Sequence, residues 1–184
     1  MKRLFDFLMS LIAIIILSPV ILIVALAVKF TSPGPILFKQ RRIGKDNIEF
    51  EIYKFRTMRV DTPNVPTHLL ENPKQWITPI GKFLRKTSLD ELPQLFNILK
   101  GDMSFVGPRP PIPREVELYT AYQLQRLSVK PGLTCYWQVS GRNNIDFDEW
   151  VELDLKYIKE RNTWIDIKLI LLTIPALLGD KNAS

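Results

Sequence analysis

The chain has one cysteine and one histidine in 184 residues. Cys135 has no partner for an intramolecular disulfide, so a disulfide framework is excluded and a reducing compartment fits. His68 stands alone in a polar, proline-containing stretch and reads as a solvated loop residue. A His/Cys zinc site is therefore improbable, and a His-based nucleophilic triad has a single candidate base. There is no GxxxxGK[ST], no GxGxxG and no internal repeat, which excludes a P-loop or Rossmann reading. A nucleic-acid motif or aromatic ladder is also missing, so the surplus positive charge needs another explanation. The length suits one domain, or one domain plus an anchor, with a sizeable core.

The formal net charge is +6, and it is unevenly placed. Residues 1–60 carry ten Lys/Arg against four Asp/Glu, while the other 124 residues carry fifteen of each. The whole excess lies in and beside the segment Phe7 to Val28, which contains no charged side chain. That distribution suits anionic lipid headgroups. The 22 residues would make about 33 Å of helix. Three readings of this segment compete. A secretory signal peptide would explain Met-Lys-Arg at its head and the Ala25-Leu26-Ala27 string, but the run is long and interrupted by Ser18-Pro19. A spanning anchor is second, although Lys2-Arg3 and Lys29 make both ends basic and leave it unoriented. The third is a re-entrant hairpin: Pro19 cannot donate to the Ile15 carbonyl, Ser18 can satisfy freed backbone groups, and each arm would be too short to cross.

Ile36 to Arg42 and Ile48 to Arg56 alternate with period two and predict a hairpin across Gly44 to Asn47, with Ile48, Phe50, Ile52 and Lys54 on one face. Lys39, Arg41, Arg42, Lys54, Arg56 and Arg59 would sit near the membrane, most of them for headgroup attraction. Asp61 to Pro79 is polar and proline-rich and reads as a surface loop. Gly81 to Arg85 forms a short helix or turn leading to Asp90 and Glu91. These two carboxylates stand before an apolar run of Leu92, Leu95, Phe96, Ile98 and Leu99. Pro93 fits only a first helical turn, so the spacing places a helix start near Asp90 and its end at Gly101. An acidic pair there is ordinary capping; it is also a place for an ionised nucleophile or a metal ligand. Arg85, Lys86 and Arg109 supply the charges a phosphorylated substrate would need.

Gly107 to Pro113 is too proline-rich for helix or central strand, so it is a stiff extended segment that serves as a linker or ligand for a partner domain, or holds Arg109 in place. Glu115 to Leu127 reads as helical scaffold, with Leu118, Tyr122, Leu124 and Leu127 available for packing. Asp148 to Glu160 reads as an exposed helix with Val151, Leu155 and Ile158 inward and a Glu152–Lys156 pair. Trp164 to Leu178 lies either in a membrane interface or in the core.

The string SLDELPQLFNILKGDMSFVGPRP (Ser88 to Pro110) closely resembles the core signature of the bacterial monotopic phosphoglycosyl transferases, the small polyprenyl-phosphate sugar-phosphate transferases. Tyr53 to Met58 resembles the family's YKFRTM, and Pro131 to Asn143 resembles PGLTGLWQVSGRN, with Cys135-Tyr136 where Gly-Leu is usual. That departure alters substrate fit or is simply packing. The resemblance runs from Phe5-Asp6 to the WIDIKLILLT segment, and it implies an α+β fold. Residues 1–30 would be a re-entrant membrane helix hairpin broken at Ser18-Pro19. Residues 31–184 would be a compact catalytic domain, with a small β-hairpin and several amphipathic or interfacial helices, on the cytoplasmic face of the bacterial plasma membrane. The implied reaction moves a sugar phosphate from a UDP-sugar to polyprenyl (undecaprenyl) phosphate and releases UMP through a phosphosugar-aspartyl intermediate. Asp90 and Glu91 would be the catalytic dyad, with Asp90 also a Mg2+ ligand. Lys54, Arg56, Arg85, Arg109, Gln138 and Arg142 would bind substrate. The alternative is a non-catalytic membrane-surface scaffold or regulator of a glycan assembly complex.

Overall fold

The computed structural model describes residues 2–63, 70–140 and 145–179, with side chains through 173; His68 and Arg142 lie outside the described residues. Mixed helix and strand are present, as expected. The apolar segment forms one helix, α1 (Lys2–Thr31), about 45 Å long. It runs through Pro19 without interruption, so the expected break is absent from the hydrogen-bonded helix. The physical reason is local. Pro19 has no amide hydrogen for the Ile15 carbonyl, and the Ser18 hydroxyl donates to that same carbonyl at 2.8 Å.

One stripe of α1 packs against the rest of the chain along its length. Ala13, Ile14 and Leu17 pack on a core of Ile52, Leu95, Ile98 and Met103. Val24 and Val28 join Phe55 and Leu84 in a second core. The opposite stripe, including Leu4, Ile15, Ile16, Leu22, Ile23 and Phe30, is exposed.

The period-two segments form the hairpin β1 (Leu37–Ile43) and β2 (Glu49–Phe55), antiparallel, with Gln40 opposite Ile52 and Phe38 opposite Lys54. Residues opposite one another share a face, so Phe38, Gln40, Arg42, Phe50, Ile52 and Lys54 point the same way. Arg42 and Arg56 are buried, at 8% and 4% exposure, and do not form the expected headgroup-facing surface.

Next come α2 (Gly81–Lys86), a 3-10 turn Leu89–Glu91 and α3 (Gln94–Lys100). The helix expected from Asp90 starts four residues later, so helix-dipole stabilisation of Asp90 does not apply. Gly101 ends α3 at φ 97, as expected, and its amide donates to the carbonyls of Asn97 and Ile98. Buried Asn97 ties α3 to the edge of β2: its amide donates to Glu51 O at 2.7 Å and its carbonyl accepts from Tyr53 N at 3.0 Å.

β3 (Ser104–Val106) pairs in parallel with β4 (Gly132–Thr134). Two glycines permit this approach, since a Cβ on Gly132 would lie 2.1 Å from Gly107 N and one on Gly107 would lie 2.4 Å from Lys130 O. Between the strands, Glu115 to Leu127 is two short helices, α4 (Pro113–Val116) and α5 (Ala121–Leu124), not one. Leu118, Tyr122 and Leu124 are exposed and only Leu127 packs inward, which corrects the scaffold reading.

α6 (Tyr136–Val139), α7 (Phe147–Glu160) and α8 (Thr163–Gly179) complete the chain. Val106, Cys135, Trp137, Tyr157 and Leu169 form their shared core. The inward stripe of α7 is Val151, Asp154 and Tyr157, with Leu155 and Ile158 only partly buried. Glu152 accepts from the Tyr122 hydroxyl instead of pairing with Lys156. In α8, Leu169 is buried in the core, while Trp164 and Leu171 are exposed.

Candidate active site

The Leu89–Glu91 turn sets the site. It follows Ser88, a non-glycine residue at φ 54, a sparsely populated backbone region that persists only where surrounding contacts enforce it. The Glu91 amide returns to Ser88 O at 3.1 Å and closes the turn. Neither this turn nor α3 takes a side-chain cap. Asp90 is therefore not spent on helix punctuation.

Asp90 is buried, and no ion pair among the described residues involves it. Burial pushes its carboxyl up to about 6, with the neighbouring Glu91 charge adding to the rise, while Lys54 and Arg85 pull it down. Glu91 accepts from Lys54 Nζ at 2.7 Å, so the basic residue of the YKFRTM-like string meets the acidic pair across 37 positions. Arg85 Nε donates to the Thr57 hydroxyl at 3.0 Å, which holds its guanidinium within electrostatic reach of Asp90. Burial lowers the Arg85 pKa and Asp90 opposes that shift.

The Gly107 to Pro111 segment contributes a second positive group. Gly107, Pro108, Pro110 and Pro111 are buried and Arg109 alone is exposed. Gly107 N donates to Thr134 O, Pro108 O accepts from Gly132 N, and Pro111 O accepts from Ile43 N, each at 2.9 Å. Pro110 O accepts from Arg42 Nη1 at 3.0 Å, and Arg42 Nη2 donates to Gln40 Oε1 at 2.7 Å. Arg42 feels the charges of Arg109, Glu115 and Glu91. Lys54, Arg85, Asp90, Glu91, Arg42 and, through Arg42, Arg109 thus form one neighbourhood.

Two sequence-predicted residues sit elsewhere. Arg56 donates through Nη1 to Pro33 O and through Nη2 to Ser32 O at 2.9 Å, so its terminal nitrogens serve the turn after α1. Gln138 is buried in α6, and no hydrogen bond among the described residues joins it to the dyad. Arg42 was missed as a contributor to this neighbourhood. For Arg42 the signal was available in its strand parity, which matches that of Ile52 and Lys54 across the hairpin.

A family model described as bacterial sugar transferase matches residues 1–180. The chain is 52% identical over 159 residues to a galactosyl transferase of Streptococcus agalactiae, covering 79% of this chain and 35% of that protein. It is 42% identical over 184 residues to the UDP-glucose:undecaprenyl-phosphate glucose-1-phosphate transferase of Escherichia coli, covering 95% of this chain and 39% of that protein. An exopolysaccharide production protein of Sinorhizobium fredii is 40% identical over 191 residues, 96% of this chain and 84% of that one. The chain therefore spans well under half the length of the first two relatives.

Proposed function

The chain belongs to the bacterial sugar transferase family, and from that premise we propose that it transfers a sugar phosphate from a UDP-sugar to polyprenyl phosphate. The observation that carries this reading is Asp90: a buried carboxylate, free of capping and ion pairing, beside a Lys54–Glu91 pair and Arg85. An uncommitted carboxylate in a cationic pocket is poised as a nucleophile toward a phosphoryl group.

In the proposed first step a carboxylate oxygen of Asp90 attacks the sugar-bearing phosphorus of the donor. The bridging P–O bond breaks, UMP leaves with the bridging oxygen, and an acyl-phosphate joins Asp90 to the sugar phosphate. In the second step an oxygen of polyprenyl phosphate attacks the same phosphorus. The acyl-phosphate bond breaks, Asp90 is regenerated, and the product is the polyprenyl diphosphate sugar. Glu91 assists by holding or moving a proton, with Lys54 fixing its carboxylate. Arg85 and Arg109 offset phosphate charge.

Two adjacent carboxylates suit a cation that takes one or two protein oxygens and completes its shell with phosphate and water. Among the described residues no group of three His, Cys, Asp or Glu forms a fuller cage. Asp90, with Glu91 beside it, would hold Mg2+, which when bound would neutralise diphosphate charge.

We place the domain on the cytoplasmic face of the membrane with α1 monotopic, its exposed apolar stripe against lipid. A headgroup-level site would join a water-soluble donor to a lipid acceptor.

The test is to incubate detergent-purified protein with Mg2+ and a panel of UDP-sugars without lipid acceptor, then weigh the intact protein. UDP-glucose and UDP-galactose head the panel, because relatives carry glucose and galactose names. A mass gain of one sugar phosphate, lost in Asp90→Asn, is expected. No adduct and no UMP release, even after polyprenyl phosphate is added, would favour the scaffold alternative.

A further inference from the structure

We propose that Arg42 is a positioning residue for this transfer: by fixing the Pro110 carbonyl it holds the backbone that carries the exposed Arg109 guanidinium, which takes the donor diphosphate. The inference rests on the reading of the Asp90 site above. Arg109 is the single exposed residue in a run whose flanking carbonyls are all clamped. β4 holds Pro108, the β1 main chain holds Pro111, and a side chain, that of Arg42, holds Pro110. Prolines fix φ along the segment, so the remaining freedom at Arg109 is set by those clamps.

Burying an arginine is costly, and this one is 8% exposed in a two-stranded hairpin whose neighbouring Arg41 is exposed. Its Nη groups are used, one on Pro110 O and one on Gln40 Oε1, while buried Nε has no partner among the described residues. Burial lowers its pKa to about 10, the Arg109 charge adds to that, and Glu115 and Glu91 oppose it. Two guanidiniums within electrostatic reach of one another form a place that gains when a polyanion arrives. Strand parity puts Arg42 on the same hairpin face as Lys54, which already touches Glu91. Arg42 therefore connects the proline segment to the dyad.

The experiment uses the whole detergent-purified chain and compares Arg42→Met, Arg109→Met and the double variant. UMP release gives KM for the UDP-sugar and kcat, thermal unfolding checks the fold, and calorimetry with UDP reads binding without turnover. Arg42→Met is expected to raise KM about tenfold with a smaller change in kcat. The double variant is expected to fall within about threefold of Arg109→Met alone, because Arg42 acts through Arg109. Gln40→Met, at a half-exposed position that secures Arg42, covers the case in which Arg42→Met unfolds. It should raise KM a few-fold in the wild-type background and leave Arg109→Met unchanged.

Multiplicative effects in the double variant, or an unchanged KM in a folded Arg42→Met or Gln40→Met, would overturn the proposal and leave Arg42 a stability residue. If the wild type itself releases no UMP, the transfer reading has failed, and UDP binding decides on Arg42 alone. Weaker binding that disappears as a separate effect in the Arg109→Met background would retain the coupling; unchanged binding would remove it.

Discussion

Asp90 is held where its charged form is disfavoured. Its folded-state carboxyl titrates near 6 against an ordinary value of 3.8, mainly from burial. Between those values the folded protein keeps a proton that the unfolded chain releases. The stability Asp90 contributes is thus present at low pH and lost as pH rises through about 6. Asp90→Asn should abolish UMP release and, in metal-chelated protein at pH 7, raise stability by roughly 3 kcal/mol, a gain that vanishes below about pH 4. Thermal unfolding across pH reads this, and an Asn variant no more stable at pH 7 than at pH 4 would contradict it. Lys54 lowers the Asp90 pKa, so Lys54→Met should move the acidic limb of the pH–rate profile to higher pH, and an unmoved limb would separate Lys54 from the nucleophile. The Asp90–Glu91 pair proposed as the dyad was legible in the sequence because a long signature carries it. Capping could not be dismissed from spacing alone, since the backbone geometry at Ser88 that moves α3 beyond Asp90 leaves no trace in hydrophobic periodicity.

At the level of elements, strands read more truly than helices. The β1–β2 hairpin follows from alternation, and its register carries Lys54 to Glu91. The split of Glu115 to Leu127 into two short helices did not follow, and neither did the inward face of α7. Asp154 lies on that face because Arg126, 28 residues earlier, donates to Asp154 Oδ2 through Nε at 2.8 Å and Nη2 at 2.7 Å. The Arg126 guanidinium also lies 4.9 Å from the Trp150 ring and near Tyr119 and Phe147. A one-dimensional pattern scores both residues as solvent-facing, since only the long-range pair makes their burial tolerable. Arg126→Met should cost about 3–5 kcal/mol by leaving Asp154 charged and buried, and Arg126→Met/Asp154→Leu should recover most of that loss. Denaturation midpoints decide it. A double variant as unstable as the single would mean that the aromatic packing around Arg126, and not the charge pair, holds α7.

For the molecule as a whole, α1 does not stand apart from the domain. At one end Lys2 pairs with Asp166, Arg3 donates to the carbonyls of Ile98 and Leu99 at 2.6 Å, and Asp6 accepts from the Ser104 hydroxyl and Phe105 amide. At the other end Val24 and Val28 pack on Phe55 and Leu84, and Arg56 holds the carbonyls of Ser32 and Pro33. A helix of about 45 Å exceeds the roughly 30 Å hydrocarbon core, and length alone would permit spanning. Spanning would carry one set of these polar contacts through lipid, away from the body that supplies both. The outward stripe of large apolar residues would be covered by lipid in the one-sided contact proposed above. The sequence made the apolar run and its Ser-Pro step plain. It could not show that contacts reaching nearly a hundred positions along the chain at one end, and only 23 or 24 at the other, tie both helix ends to one body. With Cys135 replaced by serine, single cysteines at Lys2 and at Lys29, charged positions at opposite ends of α1, should both react with a membrane-impermeant maleimide in inside-out vesicles, and neither in intact cells. Labelling of one from each side would show that α1 spans, and the tethers at one of its ends would then have to open in the membrane.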